Sequence, residues 1–476
     1  MKALAVNAPR STGYLAIGGL AVLAALSGYI VASTELGYAA AGGVIVALAG
    51  VAWLLGAEPR TRSAHEARPA ADATILFRVP RVAFLLGLLL IGQLTMRPIY
   101  STTVSDYLFL VALVATLGAM VLSREPQRGF LPSGLIAGAL LFGIGACLSA
   151  FSSDTAGAAI GVATRFLYLA LVWVWVATIL LRRIVDVRTG VALWVISLSV
   201  SGVAAIAQFL LGDVIPDTDT AFGRMTGTAQ HVNDLGGSAA VALVAAVGLA
   251  LTSSAGRWLR LMGSVGTVLI TSGLILSGSI GAMIAAVVGV AVAAAVTQRK
   301  RAFGAAAIVI AVAAIVTTSV QPPESAATFA GRLDTVSGPS GTLHARLDVF
   351  QLAWHHIEES PLIGVGLGFD PRAPGAALPD LIHNAFLSTW YQGGVFAFIG
   401  LVVITLAGLR VGLQAVRDAG TTDERLLAGS LLGSFATYIV FGLGTPALYE
   451  RYGWVPVALV VALRAIQLRR DQESDS

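Results

Sequence analysis

Apolar residues along this chain fall in blocks of roughly 17 to 22, separated by short charged or Gly/Pro-rich stretches. A bilayer core about 30 Å thick needs about 20 such residues per crossing helix, and only helices or closed barrels satisfy their backbone polar groups there. The pattern predicts an all-α, polytopic transmembrane bundle of 12–14 spans. The spans fall near 14–32, 37–56, 81–95, 105–122, 132–151, 160–181, 190–211, 235–252, 258–276, 279–297, 303–319, 385–409, 426–443 and 452–467. The 81–95 block is short for a full crossing, and 258–297 reads either as two helices or as one broken pair. Composition agrees: 12% of residues are charged, against about 25% in an average soluble domain. The single cysteine, Cys147, lies inside an apolar block and excludes an intramolecular disulfide. The first block has no clear small-residue cleavage site and is read as a retained helix, not a signal peptide.

A net charge of +4 would suit a nucleic-acid partner, but the arginines lie in short loops between the blocks, where they read as topology signals. No nucleic-acid partner is expected. With the N-terminus in the cytoplasm, the inside segments collect most of them, from Arg60 and Arg62 through Arg182 and Arg183 to Arg469 and Arg470. The outside keeps Arg97, Arg165, Arg224, Arg332, Arg346, Arg372 and Arg451. That bias puts both termini in the cytoplasm.

The chain divides into N-terminal helices (1–189), central helices (190–320) with a first outside loop at 212–234, a large extracytoplasmic loop (321–384), and C-terminal helices with a cytoplasmic tail (385–476). Helix connections in bundles usually take about 2–8 residues, and much longer ones tend to be functional or disordered. The large loop is not disordered in composition. Leu343, Leu347, Phe350, Trp354 and Ile357 recur at steps of three and four, which predicts an amphipathic helix near 343–359 against the membrane surface or the bundle mouth. Pro361 ends it, and Gly364, Gly366 and Gly368 form a turn-rich exit.

Residues 346–368 read RLDVFQLAWHHIEESPLIGVGLG, and 383–397 read HNAFLSTWYQGGVFA. Together with RMTGTAQHVNDLG at 224–236, these resemble the O-antigen ligase / Wzy-type polymerase superfamily, membrane glycosyltransferases of the GT-C-like type. The likeness lies in an Arg-led helix with a Trp, a P-L-x-G-x-G exit, and a His-Asn pair opening the next span ahead of a Gly pair. It covers roughly residues 190 to 410. Two departures bear on the subfamily: Ala397 interrupts the glycine spacing after the His-Asn pair, and SGSIGAM at 277–283 carries Ile280 where many relatives have Arg.

The resemblance implies glycan transfer from a polyprenyl-pyrophosphate donor to an acceptor hydroxyl of a glycan or lipoglycan, on the extracytoplasmic face among membrane lipids. Such a site needs positive charge around two phosphates and a base for the acceptor proton. Guanidinium forks meet the first need without a metal, so no cofactor is expected. Arg224 and Arg346 match the family's outside arginines and are assigned to the pyrophosphate. Arg165 joins them as an ionisable residue about one turn into an outer helix end, with Arg332 as a supporting loop arginine. His383 is the candidate general base, since imidazole titrates closest to neutral pH. Its alternative is a helix-start residue bonded to backbone, with Asn384 as cap. Asn384 and Trp354 are supporting residues. Asp217-x-Asp219 resembles a metal motif only weakly, and no Walker loop, zinc spacing or nucleophile elbow occurs. A polytopic transporter or lipid flippase is the alternative, but no internal repeat is evident and the polar residues cluster at outer ends.

Overall fold

The structure, a computed structural model, describes residues 76–93, 103–123, 129–153, 156–212, 223–253, 256–299, 303–304, 306–308, 342–368, 378, 380–446 and 449–474. The spans expected at 14–32 and 37–56, most of that at 303–319, and Arg97, Asp217, Asp219, Arg332 and Arg372 lie outside the described residues. Among the described residues the regular elements are helical. In chain order they are α1 (Arg78–Leu90), α2 (Val104–Leu122), α3 (Ser133–Phe151), α4 (Ala156–Leu180), α5 (Ile184–Leu211) and α6 (Val232–Leu251). They continue as α7 (Arg257–Leu276), α8 (Ile280–Thr297), α9 (Thr342–Glu359), α10 (Ala385–Arg417), α11 (Thr422–Gly442) and α12 (Arg451–Ser474).

Nine of these, α2 to α8 with α10 and α11, are long and apolar enough to cross a membrane. The protein is a polytopic helical membrane bundle. α1, at 13 residues, is the short block foreseen. The stretch 258–297 is two helices, parted by a turn at Ser277–Ser279. α5 begins six residues before the apolar block does, because Asp186 in its first turn accepts from the Arg183 backbone amide at 3.1 Å and from the Arg183 guanidinium at 3.2 Å, which holds the helix start outside the block. Asp186 is buried there against Arg81, 3.6 Å away. Hydropathy alone omits such a turn, because charge at a capped helix start is compatible with helix but not with lipid.

α6 and α11 are the most buried spans, while α2, α7 and α8 leave Leu110, Val111, Val268 and Ile284 exposed. Long spans are joined through small residues: α10 lies along α3 so closely that a Cβ on Gly400 would stand 2.6 Å from the Gly138 carbonyl. Polar contacts gather at the two ends of the bundle. At one end Glu424, buried, accepts from Gln467 (2.8 Å), Arg470 (3.0 Å) and the Gly420 amide (3.1 Å). At the other, Arg451 is buried in a bidentate pair with Asp106, the residue that also completes the α2 capping box.

α10 is broken. Gly394 has φ 71° and ψ −178° inside an otherwise helical run. A break strands carbonyls that lipid cannot satisfy, and the exit of the large loop supplies the missing partners. The amides of Val365 and Gly366 donate to the Tyr391 and Gln392 carbonyls at 3.1 and 2.8 Å, and the Val395 amide donates to Pro361 O at 3.2 Å. The Gly368 amide adds a bond to Gln392 Oε1 at 3.0 Å. The P-L-I-G-V-G-L-G exit is thus a backbone zipper along the broken helix. Its glycines leave room for the approach: a Cβ on Gly364 would lie 2.2 Å from the Gln392 carbonyl.

Candidate active site at the bundle mouth

α9 forms as the periodicity predicts, but its burial differs from the expected stripe. Val349, Ala353 and Ile357 are buried, packed with Leu378, Ile382 and Tyr391. Leu343, Leu347 and Trp354 are 46–47% exposed. The stripe therefore splits: Ile357 faces the bundle with Phe350 packed against the same cluster, while Leu343, Leu347 and Trp354 face outward. This packing lays α9 across the start of α10, and with it brings Arg346 to His383.

His383 sits just before α10. Asn384 caps that helix, its Oδ1 accepting from the Phe386 and Leu387 amides, both at 3.0 Å. The cap fixes the backbone on which His383 is carried. The imidazole is half-buried, and its Nδ1 is sealed from solvent with no hydrogen-bond partner among the described residues. Burial and the neighbouring Arg346 charge push its pKa down from 6.5 to about 4; His231 pushes the same way and Asp380 opposes. His383 is therefore neutral at pH 7, the state in which an imidazole accepts a proton. Buried polar atoms without partners are uncommon, and catalytic roles are one recurring reason for them.

Arg346 Nη1 donates to the Gly444 carbonyl at 3.4 Å, which ties α9 to the α11–α12 turn. The same turn carries Tyr449, packed among Leu367, Ser388, Thr389 and Gln392. Burial pushes the Tyr449 phenol up and Glu450 adds to this, while the Arg165 charge pulls it down. Arg165 therefore stands within electrostatic reach of the turn that holds Arg346. It sits in α4 immediately ahead of a π-helical stretch, Tyr168–Trp173, a local irregularity frequent near functional sites.

Arg224 is buried. Its Nε donates to Ser277 O at 2.7 Å and its Nη2 to Asn233 Oδ1 at 2.9 Å. His231, whose charge His383 feels, caps α6 two residues before Asn233, its Nδ1 accepting from the Asn233 amide at 3.1 Å. Trp354 lies on the exposed side of α9, donating to Glu358 at 2.7 Å and packing edge-on against Trp390. The structure thus gathers His383, Arg346, His231 and Asp380, with Arg165 and Arg224 joined through neighbouring turns. Arg332 lies outside the described residues.

Sequence reading passed over Asn233, Ser277, Gln392 and Tyr449 as site neighbours. The polar run QHVND directly ahead of an apolar span, and the SGS between two spans, were the available signals. Electrostatics here makes a direct prediction. Arg346→Gln removes a positive neighbour, so the His383 imidazole should titrate above its wild-type value of about 4. NMR of selectively labelled histidine would follow it, and an unchanged or lower value would remove Arg346 from the site.

Residues 265–402 match the family model described as O-antigen ligase. The match holds α9, Arg346, His383 and the break at Gly394, and leaves Arg165 and Arg224 upstream of it. No curated protein matches the chain. Residues 265–402 of this polytopic helical membrane bundle are thus similar to the O-antigen ligase family, a likeness that supports a membrane glycan-transfer role in polysaccharide assembly.

Proposed function

We propose that the protein transfers a glycan from a polyprenyl-pyrophosphate donor to an acceptor hydroxyl on the extracytoplasmic face of a bacterial inner membrane, as a ligase or polymerase. The supporting observation is a neutral His383 within the field of Arg346, with a buried nitrogen that has no partner among the described residues. In this reaction the acceptor oxygen attacks the anomeric carbon and the bond from that carbon to the pyrophosphate oxygen breaks. His383 takes the acceptor proton, and the lipid pyrophosphate departs as an anion. Arg346, Arg224 and Arg165 bind that anion by charge-assisted hydrogen bonds, and positive charge already in position at a developing anion is the kind of contribution that usually dominates catalysis. Donor and acceptor both belong to the mouth end of the bundle. Arg81, Arg182, Arg183, Arg469 and Arg470 belong to the other, which the arginine excess assigns to the cytoplasm with both termini.

The test is consumption of a purified polyprenyl-pyrophosphate glycan by the protein in detergent, with lipid and polysaccharide fractions of the source cell envelope as acceptors. Transfer in the wild type, weakened by Arg346→Ala and partly restored by Arg346→Lys, is expected, since Lys restores charge without the planar fork. An intact donor after incubation of folded protein with every fraction would reject the reading. Movement of a lipid-linked glycan across proteoliposomes without its consumption would favour the flippase instead.

A further inference from the structure

Arg224 is one of the proposed donor-binding arginines, and the role assigned to its neighbours rests on that reading. The described part of the loop carrying it, residues 223–231, is held by several hydrogen bonds. The Thr226 and Gly227 amides donate to Gln208 Oε1 at 3.1 and 2.7 Å, and the Met225 amide donates to Leu276 O at 2.9 Å. Thr228 Oγ1 donates to Gly92 O at 2.7 Å, joining the loop to the end of α1. From this base the Arg224 side chain runs over the α7–α8 turn. Gly278 there has φ 58°, and a Cβ on it would lie 3.1 Å from Arg224 Nε and 3.2 Å from its Cγ. The turn therefore needs glycine both for its left-handed backbone and for the room the guanidinium stem occupies. Among the partners of the guanidinium are two neutral oxygens, Ser277 O on Nε and Asn233 Oδ1 on Nη2. The Asn233 backbone is held separately, its amide donating to His231 Nδ1 at 3.1 Å.

We propose that Asn233, with the Ser277–Gly278 turn, is a positioning frame that aims Arg224 at the donor pyrophosphate. Each element of the frame does a separate task. The turn carbonyl and the glycine fix the stem, and the asparagine oxygen fixes the rotation of the fork. A long, flexible side chain held in this way has already lost its rotamer freedom before the ligand arrives, which lowers the cost of binding. An amide also orients the fork without opposing its charge. An aspartate at the same place would orient it equally well, but would pair with the charge that the donor phosphates need.

That contrast separates a positioning frame from a structural peg. The probe is polyprenyl pyrophosphate in detergent, bound to wild type, Asn233→Ala and Asn233→Asp, with thermal unfolding of each and donor kinetics read as kcat and KM. Wild type should bind the probe. Asn233→Ala should bind about tenfold or more weakly, the scale of a lost hydrogen bond to a charged group. Asn233→Asp should bind at least as weakly while unfolding at or above the wild-type temperature, and donor KM should rise more than kcat falls. Asn233→Asp binding as wild type does would overturn the positioning role and leave the donor reading standing. Wild type failing to bind the probe at all would overturn both.

Discussion

Replacing His383 by alanine should lower glycan transfer by about 10²–10⁴-fold, the usual contribution of one general base, with expression and thermal unfolding close to wild type. The expectation of a benign fold follows from the half-buried ring and its lone nitrogen. Alanine removes no hydrogen bond from Nδ1 to the described residues and relieves a desolvated polar atom. The pH dependence is more diagnostic than the loss. His383 is held neutral down to about 4 in the free protein, so kcat/KM for the donor should stay level on acidification past pH 6.5 and fall only near pH 4. In the proposed reaction a pyrophosphate bound beside Arg346 would offset part of the positive field on the imidazole and strengthen the base as the donor arrives, so the acid limb of kcat should lie above that of kcat/KM. A common limb near 6.5 in both profiles would mean that the field of Arg346 does not reach the working base. The same shift acts on folding. The folded state keeps His383 neutral below the unfolded pKa of about 6.5, so its contribution to stability is whole above that pH and drains away as pH falls toward 4.

Gly394→Val should abolish activity through structure and not through chemistry. At φ 71° and ψ −178° the backbone occupies a region nearly closed to residues with a Cβ, where strain alone costs about 1–3 kcal/mol. An added Cβ would stand 2.3 Å from the Leu362 carbonyl and 3.0 Å from the Gly364 amide, inside the zipper that joins the loop exit to α10. Losing that zipper releases α9, whose packing on Ile382 and Tyr391 brings Arg346 to His383. The expected outcome is a protein that still inserts in membranes, unfolds at a lower temperature, and no longer shows the depressed His383 titration. Gly161→Ala is the matched control: nothing lies within 4 Å of a Cβ there, and alanine is the better helix former. Full activity in Gly394→Val would show that the break is dispensable.

The class of the fold was legible from the spacing of apolar blocks, because crossing about 30 Å of hydrocarbon leaves few alternatives to a helix of about 20 residues. Helix ends were less legible. Asp186 extends α5 by capping, and Arg410 and Arg417 lie within α10, where a hydropathy reading stops short. The O-antigen ligase resemblance was carried by local strings, HNAFLSTWYQGG and PLIGVGLG, which the family match at 265–402 includes. The reason those glycines stand where they do was not legible, since it lies in hydrogen bonds between Pro361, Val365 and Gly366 and residues 391 to 395 of another element. The amphipathic stripe of α9 was visible as a period, but which part of it turned inward depended on Leu378, Ile382 and Tyr391. The sequence alone therefore determined a helical membrane bundle and marked His383, Arg224 and Arg346. Tertiary structure decided that Arg346 bears on His383, that Asn233 and Ser277 hold Arg224, and that Arg451 is bound to Asp106. Charge acts through space across segments more than a hundred residues apart in the chain, and no local pattern of residues encodes that distance.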